Sequence, residues 1–328
     1  MHSKTKTRTH SQTLWIAAAT TCAVLALSAC GKAGDAASSV SAAASAVGDK
    51  VKSAASNVDT GQATSAKLNG YTQGYNKLIG TFGLPETHER YLKLNIPKRK
   101  ATENLSISAG WVDISLEQLK KARALPASEL GALDQSADVL IGDLGKLVTQ
   151  LKALEVYYSS KAYQEDDLAK GKAQDAEVRT AFDKSTASMK SFSAVLGTEE
   201  KKRSAAMLAK LKASGDMLGY NTKLGLQQAE EVVSLFDSES DIRDPAKYQA
   251  ADAIVASLDK TLAEQRELYA TAKDKEPRPD SAHESTGSSL VSFIGTYRTM
   301  KQAKTAKSFN DMVKKYNDAV TSANRLRG

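Results

Sequence analysis

The sequence predicts an all-α protein, an elongated antiparallel helical bundle that follows a flexible N-terminal tether. The chain of 328 residues contains only six prolines, and its β-branched residues do not alternate with polar ones as they would along strands. A second indication is a run of large apolar residues spaced by four and three positions: Leu140, Leu144, Leu147, Leu151, Leu154 and Tyr158. Such spacing predicts a helix that packs against a partner helix at a shallow angle.

Residues 1–29 have the features of a lipoprotein signal peptide. A basic start without acidic residues precedes an apolar run from Leu14 to Leu27, which is too short to span a bilayer comfortably. The run ends in a cleavage sequence typical of lipoproteins, formed by Leu27, Ser28, Ala29 and the cysteine that would take the lipid, Cys30. The covalent lipid is the only cofactor expected. An ordinary secretory signal that contains a cysteine is the alternative.

The anchor also predicts where the protein is located. Gly31 follows the cysteine at the position where inner-membrane lipoproteins carry aspartate, which favours the periplasmic face of the outer membrane. Acylation at both the thiol and the new N-terminus would supply enough lipid for stable attachment. We therefore expect the membrane to be one partner, through the lipid, and an envelope protein to be a candidate second partner.

Charge and cysteine content exclude several functions. The sequence has 45 Lys and Arg and 38 Asp and Glu, and three of the basic residues lie in the signal peptide, so the mature chain carries a net charge of only about +4. This excess is too small and too dispersed to indicate nucleic-acid binding. Because Cys22 is lost with the signal and Cys30 carries the lipid, no thiol remains for a disulfide, a metal site or a nucleophile.

Residues 30–65 are rich in Ala and Ser and predict a tether without a fold of its own. A weak amphipathic helix that forms on a membrane or a partner is the alternative, because four valines have helical spacing: Val40, Val47, Val51 and Val58. A single helical domain is predicted over residues 66–328.

The domain begins with a helix near Ala66, which ends before a loop around Pro85. A second helix is predicted over Glu103–Arg123, with Trp111, Ile114 and Leu119 facing the core.

The helix with the leucine pattern is predicted to begin near Pro126 and to continue, with a kink near Gly171, to about Val195. After a break at Gly197, the next helix is predicted over Leu208–Phe236. Its middle contains three glycines, Gly215, Gly219 and Gly225. Since interior glycines weaken a helix, they indicate close approach of a neighbouring helix, with a ligand-binding concavity as the alternative.

The last two helices are predicted from Pro245 to about Asp274 and from about Ser288 to Leu326. The acid-rich residues 237–245 form a turn before them and lack the glycine and glutamate of an EF-hand loop. Residues 276–287 are predicted to be a solvated loop that contains His283.

The common signatures of enzymes are absent from the sequence. His88 and His283 lie in separate predicted loops, and the neighbouring acids Glu230 and Glu231 do not face each other on a helix. We therefore expect a binding or envelope-structural module, not an enzyme, and no metal site. A binder of a small molecule or a lipid in a groove of the bundle is the alternative, and a hydrolase with an unrecognised site is a lesser one.

Three tyrosine–asparagine pairs stand inside predicted helices: Tyr75 and Asn76, Tyr220 and Asn221, and Tyr316 and Asn317. Buried tyrosine hydroxyls and asparagine amides form hydrogen bonds between helices. The pairs are therefore candidate polar latches of the bundle, with a ligand site as the alternative.

Three segments resemble the YiiG-like family of bacterial lipoproteins: Tyr71–Asn76, Tyr157–Lys172 and Phe309–Asn317. The similarity covers about Ala66 to Leu326. The family has no known function, so the resemblance implies a helical fold and a lipid anchor and assigns no catalytic residue.

Overall fold

The computed structural model describes residues 44–127, 129–236, 238–275 and 278–326, with the backbone alone for residues 44–60 and Glu239. In these ranges the chain forms α-helices and short 3-10 turns and no strand, which confirms the all-α prediction. The α-helices are α1 (Ala44–Ile79), α2 (Leu84–Leu94), α3 (Gly110–Ala124), α4 (Gly131–Ser159), α5 (Ala169–Ser214), α6 (Met217–Val233), α7 (Glu239–Arg243), α8 (Pro245–Ala272), α9 (Ala282–Ala303) and α10 (Ala306–Ala323).

The predicted lipidation site lies outside the described residues, as do the three residues before it: Leu27, Ser28, Ala29 and Cys30. Residues 30–43 of the predicted tether lie outside them too. From Ala44 onward the backbone is helical. The many alanines and the absence of proline permit a helix here.

Buried apolar side chains form two cores. The first core is built from α1 to α5 and extends from Leu68 to Leu196. The second is built from α6 to α10 and extends from Leu226 to Ala323. Helix α5 has 46 residues, a length of about 69 Å, and it continues from the first core to α6.

The leucine pattern of α4 lies where the sequence predicts it. All six residues from Leu140 to Tyr158 that form the pattern are buried in the first core. They pack mainly against α5, and α3 covers another part of α4. This prediction is confirmed.

The inward face of α3 is predicted correctly at Leu119, which is buried, and wrongly at Trp111 and Ile114. Trp111 is 52% exposed and Ile114 is 47% exposed, while the buried face carries Val112, Leu116 and Leu119. This face packs on α1, where glycines allow the two backbones to come close. The exposed Trp111 instead stacks on the ring of Phe82, with the ring centroids 6.1 Å apart.

Several helix boundaries also differ from the prediction. The loop predicted around Pro85 is helix α2, with this proline in its first turn, and the final predicted helix is divided into α9 and α10 at Lys304, whose φ is +50°. The leucine helix ends at Ser159, and α5 begins only at Ala169, after residues with left-handed backbone such as Leu168. Helix α5 then passes through Gly197 without a break and ends at Gly215, whose φ is +76°. A left-handed residue of this kind, most often glycine, terminates many helices.

Candidate functional site

The two cores meet along facing sides of α5 and α6. Helix α5 ends at Gly215, and α6 starts at once because the Asp216 side chain accepts a hydrogen bond from the Gly219 amide, at 2.8 Å. Further along, Ser204 Oγ donates to Gln227 Oε1 at 3.1 Å. The chain thus folds back on itself, and this pair fixes the register of the two helices.

We call the facing sides the α5–α6 seam. On each helix its residues are spaced by three and four, and all are half-buried. They are Glu200, Arg203, Ser204, Met207, Leu208 and Leu211 on α5, and Tyr220, Lys223, Leu224, Gln227 and Glu230 on α6. The opposite face of α6, with residues such as Ala229 and Val232, is fully buried in the second core.

The seam holds four charged groups that influence one another. The positive charge of Lys223 interacts with Glu230, with Glu200 and with Arg203. Lys223 and Glu230 stand two turns apart on one face of α6, about 10 Å along the helix axis. Within the described chain, neither side chain makes a hydrogen bond or an ion pair.

Burial makes the charged forms of both groups unfavourable. Burial lowers the pKa of Lys223, and the nearby Arg203 lowers it further, while Glu230 and Glu200 oppose the shift. Burial likewise raises the pKa of Glu230, Glu200 adds to this shift, and Lys223 and Lys201 oppose it. Shifts of this kind in a cleft or at an interface are typical of functional sites.

Helix α1 holds the other two charged groups in place. Glu200 accepts a hydrogen bond from Thr72 Oγ1 at 2.8 Å, and Arg203 donates to Asn69 Oδ1 at 3.4 Å. Burial lowers the pKa of Arg203, and Glu200 opposes this shift. The first core therefore positions the α5 side of the seam, whereas Lys223 and Glu230 on the α6 side make no hydrogen bond or ion pair in the described chain.

The two histidines lie in different cores. The ring of His88 stacks on Phe182 in the first core, with centroids 4.6 Å apart. His283 lies in the first turn of α9, not in a solvated loop, and its Nδ1 is 2.9 Å from Thr222 Oγ1. Gln265 Nε2 also donates to the His283 carbonyl at 2.6 Å. Burial lowers the pKa of both histidines.

The predicted tyrosine–asparagine latches do not come together at one place. Tyr75 packs against Phe192 in the first core. In the second core Asn221 is buried and donates to Glu264 on α8 at 3.4 Å, and its neighbour Tyr220 belongs to the seam.

The remaining members of these pairs occupy three different environments. Asn76 is half-buried, and its Oδ1 has no hydrogen-bond partner in the described chain. Tyr316 is buried against Phe293, whereas Asn317 is half-buried on α10. No shared site is formed by the three pairs.

The tyrosine-rich segment after α4 has a structural role. Tyr157 donates to Asp166 at 2.6 Å, and Tyr163 donates to the Glu103 carbonyl at 3.1 Å. The hydroxyl of the buried Tyr158 lies beside Gly171, where any side chain would collide with it. Burial raises the pKa of Tyr158 to about 12. These bonds fix the turn between α4 and α5.

A cavity of about 610 Å³ lies at the start of α9, and its lining includes no residue of the seam. Arg278 and Arg325 line it together with Asp280. The Asp280 carboxylate caps α9 by accepting from the Ala282 amide at 2.9 Å, and its negative charge opposes an anion between the two guanidinium groups. The seam is therefore the stronger candidate site.

Sequence reasoning missed the charged members of the seam. It considers Glu230 only beside Glu231, its neighbour along the chain, and rejects the two as an acid–base pair because they do not face each other. The signal that could have found the seam is the stripe on α6, where Tyr220, Lys223, Gln227 and Glu230 share one face.

Two features are absent from the described chain. It contains no group of three or more His, Cys, Asp or Glu side chains placed to hold a metal ion. None of its helices combines the length and the apolar composition needed to cross a bilayer.

The fold and the seam define a protein class, an all-α domain of two helical cores joined by one long helix, with a half-buried charged seam between them. A family model described as "Protein of unknown function (DUF3829)" matches residues 62–318, so the chain belongs to this family. Comparison with curated proteins and with solved structures returned no match. The resemblance to YiiG-like lipoproteins stays a prediction.

Proposed function

We propose that the chain is a lipid-anchored binding module at the periplasmic face of the outer membrane and that its ligand occupies the α5–α6 seam. One observation carries the proposal. Lys223 and Glu230 are half-buried and make no hydrogen bond or ion pair in the described chain, although burial disfavours their charged forms. Groups that weaken the fold in this way are expected at functional sites, where a ligand supplies the missing partners.

The anchoring part of the proposal rests on the sequence. The cleavage sequence at Leu27–Ala29 precedes Cys30, and only a short segment separates this cysteine from Ala44, where α1 begins. Helix α1 has 36 residues, a length of about 54 Å. Because α1 belongs to the first core from Leu68 onward, only its 24 residues before Leu68, about 36 Å, would hold this core away from the membrane surface, which also suits a structural role in the envelope.

The anchor is tested with Cys30→Ser. The wild-type chain should incorporate labelled palmitate and fractionate with outer membranes, whereas the variant should do neither, because the thiol that takes the lipid is gone. Incorporation of palmitate into the variant, or a wild-type chain that fractionates with soluble proteins, would refute lipid anchoring.

The binding role is tested on full-length Cys30→Ser protein purified without detergent. Native mass spectrometry should detect a small molecule bound to this protein, and Lys223→Met combined with Glu230→Gln should abolish it. The matched control combines Lys210→Met and Glu267→Gln, two exposed residues of α5 and α8, and should retain the ligand. Loss of the ligand from the control, or no bound ligand in any form, contradicts the proposal.

A further inference from the structure

We infer that the outer side of α4 is a docking surface for a second copy of this chain, whose own α4 binds antiparallel to the first across a two-fold axis near Gly145. This inference concerns a different surface from the α5–α6 seam and does not depend on the ligand proposed there. The exposure of apolar side chains and the order of charges along α4 support it separately.

The outer side of α4 carries a stripe of residues spaced by three and four, the spacing of a helix that packs against another helix. The stripe begins at Ala132 and ends at Val156, and between them it contains Gln135, Val139, Gly142, Lys146, Thr149 and Ala153. All of these residues are exposed. Val139 and Val156 are the most exposed large apolar side chains that the structure describes, at 60% and 67%.

The space in front of the stripe is open. An added Cβ atom at Gly142 or at Gly145 would meet no atom within 4 Å, and α5 and α3 pack on other sides of α4. Apolar surface that lies in water is available for burial against another apolar surface. A helix with the same spacing fits such a face, and the α4 of a second copy is one.

The charged residues on the outer side of α4 are divided by sign. Asp138 and Asp143 lie in the first half of the helix, and Lys146 and Lys152 lie in the second half. The two other charged residues of this helix bond to α1 and to the amide that precedes α3: Asp134 and Glu155. The side that a second copy would meet is therefore acidic at one end and basic at the other.

This order of charges is complementary to itself, as the surface of a two-fold pair must be. Because Gly145 lies midway between Asp138 and Lys152, an antiparallel pair centred there sets Asp138 beside Lys152 of the second copy. It likewise sets Asp143 beside Lys146 of the second copy. The two Asp143 carboxylates also approach each other at the axis, and the two Lys146 ammonium groups beside them offset this repulsion. Asp143 and Lys146, which make no hydrogen bond or ion pair within the described residues, thus gain partners.

Two ion pairs with α3 extend the same pattern. Arg123 of α3 pairs with Asp138, Nε to Oδ1 at 2.7 Å, and Asp113 of α3 pairs with Lys152, Oδ2 to Nζ at 2.8 Å. At each end of the antiparallel pair, the first of these ion pairs faces the second ion pair of the other copy, so charges of opposite sign meet. A parallel pair in register would instead set each charge against the same charge of the other copy. The charges therefore select the antiparallel arrangement.

The pair also determines where the two anchors lie. Ala122 of α3 lies against Gly70 of α1. Leu119, one turn earlier on α3, lies against Gly74, one turn later on α1. Helix α3 is therefore antiparallel to α1, and its two ion pairs show that it is antiparallel to α4 as well, so α1 and α4 point in the same direction. A single copy can stand upright on α1, whereas a pair lies along the membrane with one anchor at each end.

The pairing is tested by sedimentation equilibrium on full-length protein with Cys22→Ser and Cys30→Ser, which removes both cysteines of the chain. This protein should form a dimer as its concentration rises. Asp143→Lys and Lys146→Glu should each weaken the dimer at least about tenfold, because each gathers four like charges at the axis. An equal mixture of these two variants should regain the dimer, and so should a chain that carries both substitutions. Lys210→Glu, at an exposed position of α5, is the control and should leave the dimer unchanged.

Single cysteines introduced into this thiol-free protein test the geometry of the pair. Under oxidation by copper phenanthroline, Gly145→Cys should form a disulfide-linked dimer, because the two copies of this position lie beside the axis. Val156→Cys should not, because it lies about 16 Å along α4 from the axis, so its two copies are about 33 Å apart. A mixture of Ala132→Cys and Val156→Cys chains should cross-link, since these positions face each other in the antiparallel pair. Circular dichroism should show that every variant is folded.

Each contrary outcome overturns a stated part of the inference. A monomer at every concentration overturns the pairing itself. A dimer that both charge variants retain is formed by another face, and a mixture of these variants that stays monomeric contradicts the charge pairing. Cross-linking of Val156→Cys alone as readily as Gly145→Cys contradicts the antiparallel arrangement. The ligand proposed for the seam is tested separately, by native mass spectrometry.

Discussion

Substituting Gly70 by alanine tests how closely α1 and α3 pack. A Cβ atom at Gly70 would lie 2.9 Å from Ala122 Cβ and 3.3 Å from Ala122 Cα. Carbon atoms that are not bonded pack at about 3.5–4.0 Å. Because alanine has no side-chain torsion that could move its methyl group away, the two helices would have to separate.

The expected cost is worked out against a matched substitution at an exposed position of α4. Gly142 lies inside α4, and a Cβ there would meet no atom within 4 Å. Gly142→Ala should therefore stabilise the fold by about 0.5–1 kcal/mol, the usual gain of alanine over glycine in a helix. Gly70→Ala has the same helical gain, but overpacking costs about 1–3 kcal/mol.

The difference between the two variants isolates the packing conflict, because the helical gain is common to both. A difference of about 1–3 kcal/mol corresponds to roughly 2–6 °C in melting temperature for a chain of this size. Differential scanning calorimetry measures it directly. Equal melting temperatures for Gly70→Ala and Gly142→Ala would show that α3 is not held against α1 as described.

Two further predictions concern the core and the seam. Leu147→Ala removes a fully buried side chain and should lower the free energy of unfolding by about 2–5 kcal/mol. Val139→Ala on the same helix, at a position 60% exposed, should leave the melting temperature nearly unchanged. Equal shifts in the two variants would contradict the orientation of α4. The pKa of Glu230 is higher in the folded chain than the ordinary pKa of glutamate. The contribution of Glu230 to stability is therefore present at pH values below the ordinary pKa, and it is lost as the pH rises through the pKa of the folded chain. Glu230→Gln should therefore raise the melting temperature at pH 7 and not near pH 4. Glu267→Gln, at an exposed position, should have no such pH-dependent effect. A gain of equal size at both pH values for Glu230→Gln would contradict a raised pKa of Glu230.

Periodicity predicts the fold where one face of a helix is strongly apolar. The six residues from Leu140 to Tyr158 leave only one way to orient α4, and the structure agrees with it. In α3 the apolar residues occupy two overlapping faces, because Trp111 and Ile114 compete with Val112 and Leu116. Which face turns inward depends on the close contact with α1, and the sequence of α3 alone does not contain that information.

Glycines mark helix ends less reliably than periodicity marks helix faces. Gly197 and Gly215 look alike in the sequence, but α5 tolerates the first and ends at the second. The difference lies in the next residue along the chain, since Asp216 caps a new helix and makes the left-handed turn at Gly215 favourable. The candidate site depends on this turn, because only the reversal of the chain brings Arg203 close to Lys223.

The continuity of α5 bears on whether the charged residues of the seam have a structural role or a binding role. Since α5 runs through the first core and on to α6, the junction between the cores does not depend on charged residues for its cohesion. Apolar side chains at Lys223 and Glu230 would bury more surface and avoid the cost of poorly solvated charges. At a binding site, one substitution is expected both to stabilise the fold and to abolish ligand binding. In a structural ion cluster, the same substitution is not expected to have these two effects together. Glu230→Gln should produce both effects in one variant, which would separate these two explanations of the seam.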